Sequence, residues 1–213
     1  MISQIKLALR KRFAATLYRY PPTGLVPDRL ATYITGLLDR RHLNLPVAEV
    51  GCHLGGTSIL AYRALRRNGW TSTYTCFDTY GGFVADQFDV DAALGTPTGL
   101  KDMFGENSVS LVRTILDQHG CSEIGMVQGD ITKVRDDQLA ESYSAVLLDM
   151  DLSEPTYLAL HRFWPRIASG GIIYVDDCPE GGDWKARIGY ARFCAEIGIP
   201  EHYEYGLGVA RKP

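Results

Sequence analysis

Short apolar runs alternate with longer amphipathic segments along most of this chain. Runs rich in β-branched and aromatic residues, which are typical of buried strands, cover residues 46–51, 73–77, 124–128, 143–149 and 171–176. Segments with apolar side chains at helical spacing cover residues 57–68, 107–120 and 154–167. Because strands and helices alternate in this way, the pattern predicts a parallel, doubly wound α/β sheet.

The two ends of the chain add helices and a hairpin to this pattern. Residues 1–20 and 26–41 predict two helices before the first strand. Residues 189–199 predict a last helix, and residues 202–213 predict a hairpin with its turn at Gly206 to Gly208. The predicted fold is a Rossmann-like, mostly parallel sheet of seven strands with an antiparallel C-terminal strand. Helices within residues 1–42 precede it and are interpreted as a lid or a dimer contact.

Residues 79–106 show no clear period and are rich in glycine, aspartate and aromatic residues. A structureless stretch of this length is uncommon inside a compact domain unless it has a function. We therefore interpret this segment as a long functional loop or lid.

The composition is that of an ordinary globular domain. At 213 residues and a net charge of -3, the chain is long enough for one α/β domain and has no basic excess that would favour nucleic acid. Its five cysteines form no CxxC motif, which favours a reducing cytosol over a disulfide framework or a zinc site. No run reaches the roughly 18 apolar residues of a membrane span, and no uninterrupted apolar core of an export signal is present. We expect a cytoplasmic protein that binds neither a membrane nor nucleic acid.

The first predicted helix is both basic and amphipathic. Ile5, Leu9, Phe13 and Leu17 recur at helical spacing beside several lysines and arginines. Such a helix could lie on a membrane surface or on a partner, but charged faces are usually solvated. The favoured interpretation is a helix that packs on its own domain or on a second copy of the chain, as a homodimer.

A glycine-rich turn, EVGCHLGGTS (residues 49–58), follows the first predicted strand. Glycines at this point let a ligand approach the backbone at a helix N-terminus, although such turns are often only structural. Asp78 ends the second strand, where a carboxylate can hold a ribose diol. Asp130 follows the third strand, where it could accept a hydrogen bond from an adenine amino group or cap a helix. Three such features on successive strands predict a nucleoside site.

Four carboxylates follow two further strands. Asp149 and Asp151 end the fourth predicted strand, and Asp176 and Asp177 end the fifth. Strand ends of a doubly wound sheet meet at the ligand-binding edge, so these like charges need a cation or basic side chains among them. Oxygen ligands favour Mg²⁺, Ca²⁺ or Mn²⁺. The alternative is that Asp151 caps the next helix and Asp177 begins a loop.

These motifs resemble those of class I S-adenosylmethionine-dependent methyltransferases, and more narrowly those of the macrocin O-methyltransferase (TylF-like) family. The resemblance covers roughly residues 45–211 and is carried by VAEVGCHLGGTSI, CFDTYGGF, LLDMDLSEPTYLALHRFWPRIASGGIIYVDD and WKARIGYARFCAEIGI. It implies that residues 43–213 form a methyltransferase domain. It also implies that Asp149, Asp176 and Asp177 bind Mg²⁺ and that Asp151 is the general base on a substrate hydroxyl.

The resemblance also implies a site for S-adenosylmethionine. Glu49, Gly51 and Gly55 would line its methionine end, and Asp78 would hold its ribose. The full predicted cofactor site is Glu49, Gly51, His53, Gly55, Thr57, Ser58, Asp78, Thr79, Asp130 and Asp149. The expected reaction is Mg²⁺-dependent methylation of a hydroxyl on a small molecule, such as a sugar, a catechol or another vicinal diol of a natural product.

Several alternatives stay open at this point. His53, His119 and His161 are rival bases, and Asp149 and Asp151 could exchange their roles. A metal-independent methyltransferase or a non-catalytic nucleoside-binding protein would share much of the pattern. The hypothesis of an NAD-dependent oxidoreductase has weaker support, because the glycine spacing is not GxGxxG. Aromatic candidates for the acceptor pocket are Tyr80, Phe83, Phe88, Tyr157 and Trp184.

Overall fold

A computed structural model describes residues 2–213, with side chains from residue 4 onward, so the first residue of the predicted N-terminal helix lies outside it. Its seven strands are β1 (Val47–Val50), β2 (Tyr74–Asp78), β3 (Gly125–Gln128), β4 (Tyr143–Leu148), β5 (Ile167–Val175), β6 (Tyr203–Glu204) and β7 (Leu207–Arg211). They form one sheet in the order β3-β2-β1-β4-β5-β7-β6. The first five strands are parallel to one another, and β7 runs antiparallel to β5 and β6. The predicted fold class is confirmed.

Helices cover both faces of this sheet. They are α1 (Ile2–Arg12), α2 (Ala14–Leu17), α3 (Pro27–Arg40), α4 (Gly56–Arg67), α5 (Ala85–Ala93), α6 (Val109–Gln118), α7 (Ser153–Phe163) and α8 (Lys185–Ile197). One core contains Ala145 and Leu147 of β4 together with buried side chains of α3, α4 and α6. The other contains Val146 and Leu148 together with buried side chains of α7 and α8. Alternate residues of β4 thus pack in two different cores, as expected for a central strand with helices on both sides.

The N-terminal helices lie on their own domain. The Lys6 ammonium pairs with Glu106 at 2.6 Å, and both Gln118 and His119 bond the backbone oxygen of Tyr18 at 2.9 Å. The apolar positions of the predicted stripe, Ile5, Leu9, Phe13 and Leu17, are exposed, whereas Ala14 and Tyr18 are buried. The homodimer stays a prediction.

The prediction of an unstructured loop over residues 79–106 is wrong in part, because the segment contains α5. Phe88 and Asp91 are its buried side chains, so no apolar stripe reveals the helix in the sequence. Asp91 accepts hydrogen bonds from the backbone nitrogen of Ser153, at 2.7 Å, and from the Ser153 hydroxyl. A polar anchor therefore fixes α5 to the first residue of α7.

Two further boundaries differ from the prediction. Strand β5 begins at Ile167, four residues early, because an irregularity in its pairing with β4 lets the chain continue through Gly170 and Gly171. The hairpin turn lies at Tyr205 and Gly206, both with positive φ, rather than at Gly206 to Gly208. Among the described residues, no helix has the length and apolar character needed to cross a bilayer.

Candidate functional site

A cavity of about 400 Å³ lies at the carboxyl ends of strands β1 to β5. This volume is in the range of small-molecule sites. Most predicted site residues contribute to its lining, namely Glu49, Gly51, His53, Thr57, Asp78, Thr79, Asp130, Asp149, Asp151, Asp176 and Asp177. Gly55 and Ser58 lie outside that lining. The topology thus brings together side chains that are up to 128 positions apart in the chain.

Gly51 occupies a position that no other residue can take without displacing the chain. Its φ is +87°, and a Cβ atom there would stand 1.7 Å from the backbone oxygen of Asp149. Its backbone nitrogen donates to the carbonyl of Phe77 at 2.9 Å. Gly51 therefore allows the ends of β1 and β4 to approach closely. This packing explains the glycine on structural grounds, in addition to the predicted ligand contact.

Glu49 is buried and accepts hydrogen bonds that link neighbouring elements of the domain. Its Oε2 atom accepts hydrogen bonds from the Ser58 hydroxyl at 2.8 Å and from the Tyr74 hydroxyl at 2.5 Å. Burial raises its pKa to about 7, although these two hydrogen bonds oppose the shift. Ser58 thus hydrogen-bonds Glu49 and links α4 to β1, and it does not line the cavity.

The raised pKa of Glu49 predicts a pH-dependent stability that Glu49→Gln removes. A carboxyl with a raised pKa in the folded state stabilises fully below its ordinary value of 4.5, and this contribution is lost as the pH rises through about 7. The shift corresponds to up to about 3 kcal/mol. Urea unfolding between pH 5 and pH 8 should therefore show a flatter profile for Glu49→Gln. The exposed Glu180→Gln is the control, and equal slopes for both variants would contradict the prediction.

Asp78 connects the glycine-rich turn to the end of β2. Its Oδ2 accepts from the backbone nitrogen of His53 at 2.8 Å, and its Oδ1 accepts from that of Tyr80 at 2.7 Å. Burial raises its pKa, against the effect of these hydrogen bonds. The Thr79 hydroxyl also donates to Oδ1 at 3.5 Å, so it is Oδ2, with its one hydrogen bond from His53, that keeps acceptor capacity for a ligand diol.

Asp130 is largely engaged by its own surroundings. Its Oδ1 accepts from the backbone nitrogen of Thr132 at 2.9 Å and from the Thr132 hydroxyl at 2.7 Å, and its Oδ2 accepts from Gln87 at 2.9 Å. Burial alone would raise its pKa, but these bonds and the charge of Lys133 lower it. These local hydrogen bonds give Asp130 a structural role, and its contact with adenine stays a prediction.

The four carboxylates form an acidic cluster, which we define as Asp149, Asp151, Asp176 and Asp177. Burial raises the pKa of Asp149 well above its ordinary value, and the charges of Asp176 and Asp151 raise it further. Burial also raises the pKa of Asp151 well above its ordinary value, assisted by a hydrogen bond with the Asp177 carboxyl. The pKa of Asp176 is raised by burial and by the charge of Asp177. Burial and mutual charge therefore disfavour the ionised forms of Asp149, Asp151 and Asp176.

Two members of the acidic cluster have left-handed backbone conformations. The φ angles are +62° at Asp151 and +49° at Asp177. Residues other than glycine pay roughly 1 kcal/mol for this conformation, and such strain concentrates at functional sites. The chain thus holds these carboxylates in place at a cost in stability.

Arg29 is a residue of the cavity lining that the sequence pattern did not indicate. It lies in the first turn of α3, and its Nη1 atom donates to Oδ1 of Asp176 at 2.9 Å and to Oδ1 of Asp177 at 2.7 Å. It is separated from these partners by 147 and 148 positions. The excess of aspartates at two strand ends indicated that a cation was needed, but no local signal could name this arginine.

The other candidate side chains divide between the cavity and the core. His53, Phe83 and Trp184 line the cavity. The ring of His53 packs against Phe104 with centroids 5.0 Å apart, and burial, with the charge of Arg10, lowers its pKa. His119 binds Tyr18, and His161 packs between Tyr157 and Phe193, so both lie away from the cavity. Tyr80, Phe88 and Tyr157 also lie outside its lining.

Comparisons with known proteins identify the domain and its fold. The sequence model of a family described as a methyltransferase domain matches residues 48–178. The structure of the O-methyltransferase NovP has 18% sequence identity and a TM-score of 0.72, with 99% of both chains covered. CalS11, a calicheamicin methyltransferase, has 22% identity and a TM-score of 0.68 over 98% of this chain and 91% of that chain.

A second structure of CalS11, described as a TDP-rhamnose 3'-O-methyltransferase, has 18% identity and a TM-score of 0.57, with 99% of this chain and 95% of that chain covered. No curated protein sequence matches the chain. At these identities the solved structures establish a shared fold, and the family match identifies the domain.

Proposed function

The chain belongs to the methyltransferase domain family, and on that premise we propose that it transfers a methyl group from S-adenosylmethionine to a hydroxyl of a small molecule. The observation that carries the proposal is the convergence of Asp78 and the acidic cluster on one cavity within the family domain. Asp78 suits a ribose, and carboxylates suit the activation of a hydroxyl. A donor and an acceptor can therefore lie side by side in the same cavity.

The donor side of the proposal rests on the glycine-rich turn and Asp78. The cavity lining at this end includes Gly51, His53 and Thr57, and Oδ2 of Asp78, which accepts one hydrogen bond, keeps acceptor capacity for a diol. S-adenosylmethionine supplies an electrophilic methyl group on a sulfonium. The part of these residues is to bind and orient it so that an acceptor oxygen can approach in line.

The acidic cluster fits a divalent cation in its chemistry. Within the described part of the chain, no three acidic, histidine or cysteine side chains already surround a common metal position. Arg29 compensates Asp176 and Asp177, whereas burial and the charges of neighbouring aspartates raise the pKa values of Asp149 and Asp151 well above their ordinary range, so a cation there would favour their ionised forms. We propose that Asp149, Asp176 and Asp177 hold Mg²⁺, which would orient an acceptor oxygen and make it more acidic.

Asp151 is the proposed general base. It lies in the cavity lining, and its backbone has a left-handed conformation that residues other than glycine seldom adopt. A raised pKa brings a carboxylate closer to the pH at which proton transfer is most efficient. Asp149 is the more central residue of the acidic cluster, since the charges of three other aspartates act on it, and this position suits a metal ligand better.

The proposed acceptor is a sugar or another vicinal diol. Two neighbouring hydroxyls can share one cation and present one oxygen to the base. The resemblance to macrocin O-methyltransferases and the fold shared with CalS11, described as a TDP-rhamnose 3'-O-methyltransferase, favour a sugar hydroxyl. Phe83 and Trp184 in the cavity lining could pack against the apolar face of such a ring.

Calorimetric titration tests the donor site. S-adenosylhomocysteine should bind with saturation, NAD should not bind, and Asp78→Asn should weaken binding by about tenfold, as for the loss of one good hydrogen bond to a charged group. Exposed Asp102→Asn is the matched control. Binding of NAD, or equal affinity in the Asp78→Asn variant, would contradict the proposed donor site.

Chelation tests the metal. EDTA should abolish methylation of a sugar or catechol acceptor, and Mg²⁺ should restore it. In the Asp149→Asn variant the required concentration of Mg²⁺ should rise. Full turnover in EDTA would favour a metal-independent methyltransferase, for which one observation speaks: the Arg29 guanidinium already bridges Asp176 and Asp177.

A further inference from the structure

Arg29 makes an unusual contact with the acidic cluster. A single nitrogen, Nη1, bridges one oxygen of Asp176 and one of Asp177 at 2.9 and 2.7 Å. Its side chain is 18% exposed, against 8% and 17% for the two aspartates, so the contact is largely shielded from water. Arg29 thus supplies a positive charge at two of the carboxylates in the proposed metal site.

This contact leaves the guanidinium incompletely satisfied. Arginine usually binds a carboxylate with two parallel N–H groups, but here one nitrogen serves both carboxylates. The buried Nε atom has no hydrogen-bond partner among the described residues. A buried donor without a partner is costly, so the arrangement holds the aspartates without being optimal for Arg29 itself.

The surroundings restrict how Arg29 can share these oxygens. Its Nε and Nη2 atoms lie against Gly206, where a Cβ atom would approach each of them to 3.0 Å. The backbone just before α3 is fixed as well, since the Thr23 hydroxyl bonds that of Thr57 at 2.7 Å. Gly56 lies directly beneath this segment, because a Cβ atom there would stand 2.2 Å from the carbonyl carbon of Pro22. The guanidinium therefore sits in a narrow space, between the hairpin turn and the acidic cluster.

We propose that Arg29 and a divalent cation compete for Asp176 and Asp177. This inference rests on the proposed metal site and adds a positioning residue to it. A cation on the same carboxylate oxygens would place its charge against the guanidinium, and the repulsion is strong in a site shielded from water. Arg29 holds the acidic cluster together when no cation is bound, and its contact must be given up on cation binding. By linkage, removal of Arg29 tightens cation binding, and a bound cation weakens the hold of Arg29.

Direct cation binding tests the competition without a turnover assay. The Arg29→Met variant keeps a long apolar side chain but lacks the charge, and Arg67→Met removes an equal charge from the exposed end of α4 as the matched control. Free Mn²⁺ is measured by electron paramagnetic resonance during titration of each full-length protein. We expect Arg29→Met to bind Mn²⁺ about tenfold more tightly than the wild type, which corresponds to about 1.4 kcal/mol, and Arg67→Met to bind as the wild type does.

The outcomes separate the inference from the proposed function. Equal affinity of wild type and Arg29→Met, or weaker binding by Arg29→Met, would overturn the competition and leave the metal site standing. If none of the proteins bound Mn²⁺, both the competition and the metal would be wrong, while S-adenosylhomocysteine binding would still report on the donor site. A thermal shift of Arg29→Met by Mg²⁺ larger than that of the wild type would support the competition.

The wild-type protein gives an independent test if Arg29→Met does not fold. With arginine labelled by nitrogen-15, the Nε–H signal of Arg29 can be followed as Mg²⁺ is added, and that of Arg67 serves as the reference. We expect the Arg29 signal to move with the saturation of the site and the Arg67 signal to stay. A stationary Arg29 signal at saturating Mg²⁺ would overturn the proposal.

Discussion

Replacement of Asp151 by asparagine is expected to lower the rate of methyl transfer by about 10²- to 10⁴-fold, the range for loss of a general base. Asparagine has nearly the same shape and tolerates the left-handed conformation at φ +62°, so the fold should survive. An amide cannot accept the proton of an acceptor hydroxyl. The loss should therefore appear in kcat, with S-adenosylhomocysteine affinity unchanged.

The same substitution should make the protein more stable at neutral and alkaline pH. Because burial raises the pKa of Asp151, its ionised form is less favourable in the folded chain than in the unfolded one. Its contribution is most favourable at low pH and is lost as the pH rises, and the amide removes this loss. In EDTA, urea unfolding at pH 8 should show a higher free energy of unfolding for Asp151→Asn than for the wild type. At pH 5 the gain should shrink.

A combination of lost turnover and gained stability distinguishes a functional carboxylate from a structural one. The exposed Asp102→Asn should change neither quantity. If Asp151→Asn were less stable than the wild type at both pH values, the carboxylate would serve the fold, although not as a cap of α7, since its N-cap is Leu152 and no side-chain cap hydrogen bond is present there. Retained turnover would move the base to Asp149 or His53, which also line the cavity.

The arrangement of the sheet followed from the sequence because most strands are short apolar runs that alternate with helices. Strand β4 is an example: Ala145 and Leu147 pack in one core, and Val146 and Leu148 pack in the other. Helix α5 did not follow, because its buried anchor is Asp91, whose partner Ser153 is 62 positions away. A helix held by one polar contact leaves no apolar period to detect.

The candidate site shows the same division between local and distant signals. Asp78, Asp149 and Asp176 come at strand ends, and parallel strands bring such ends to one edge, so their convergence is a consequence of topology. Arg29 comes from a helix outside the strand pattern, and its role depends on how α3 packs against the sheet. Ser58 was predicted at the cofactor but contacts Glu49, because helical spacing turns it from the cavity toward β1.

Gly51→Ala is expected to destabilise the protein by more than about 4 kcal/mol and to abolish binding of S-adenosylhomocysteine. Two costs add at this position. An alanine at φ +87° pays about 1 to 2 kcal/mol for the left-handed conformation. Its Cβ would also stand 1.7 Å from the backbone oxygen of Asp149, so the end of β1 must move away from the end of β4.

Gly69→Ala separates these two costs, because Gly69 has nearly the same φ, +82°, but nothing within 4 Å of a Cβ atom. It should lose only the conformational part, about 1 to 2 kcal/mol in urea unfolding, and keep its affinity for S-adenosylhomocysteine. The difference in the free energy of unfolding between the two variants measures the cost of separating β1 from β4. This separation would displace Asp149 and, with it, the acidic cluster. If Gly51→Ala were no less stable than Gly69→Ala, the close approach at Asp149 would not be fixed, and the glycine would have to be explained by ligand contact alone.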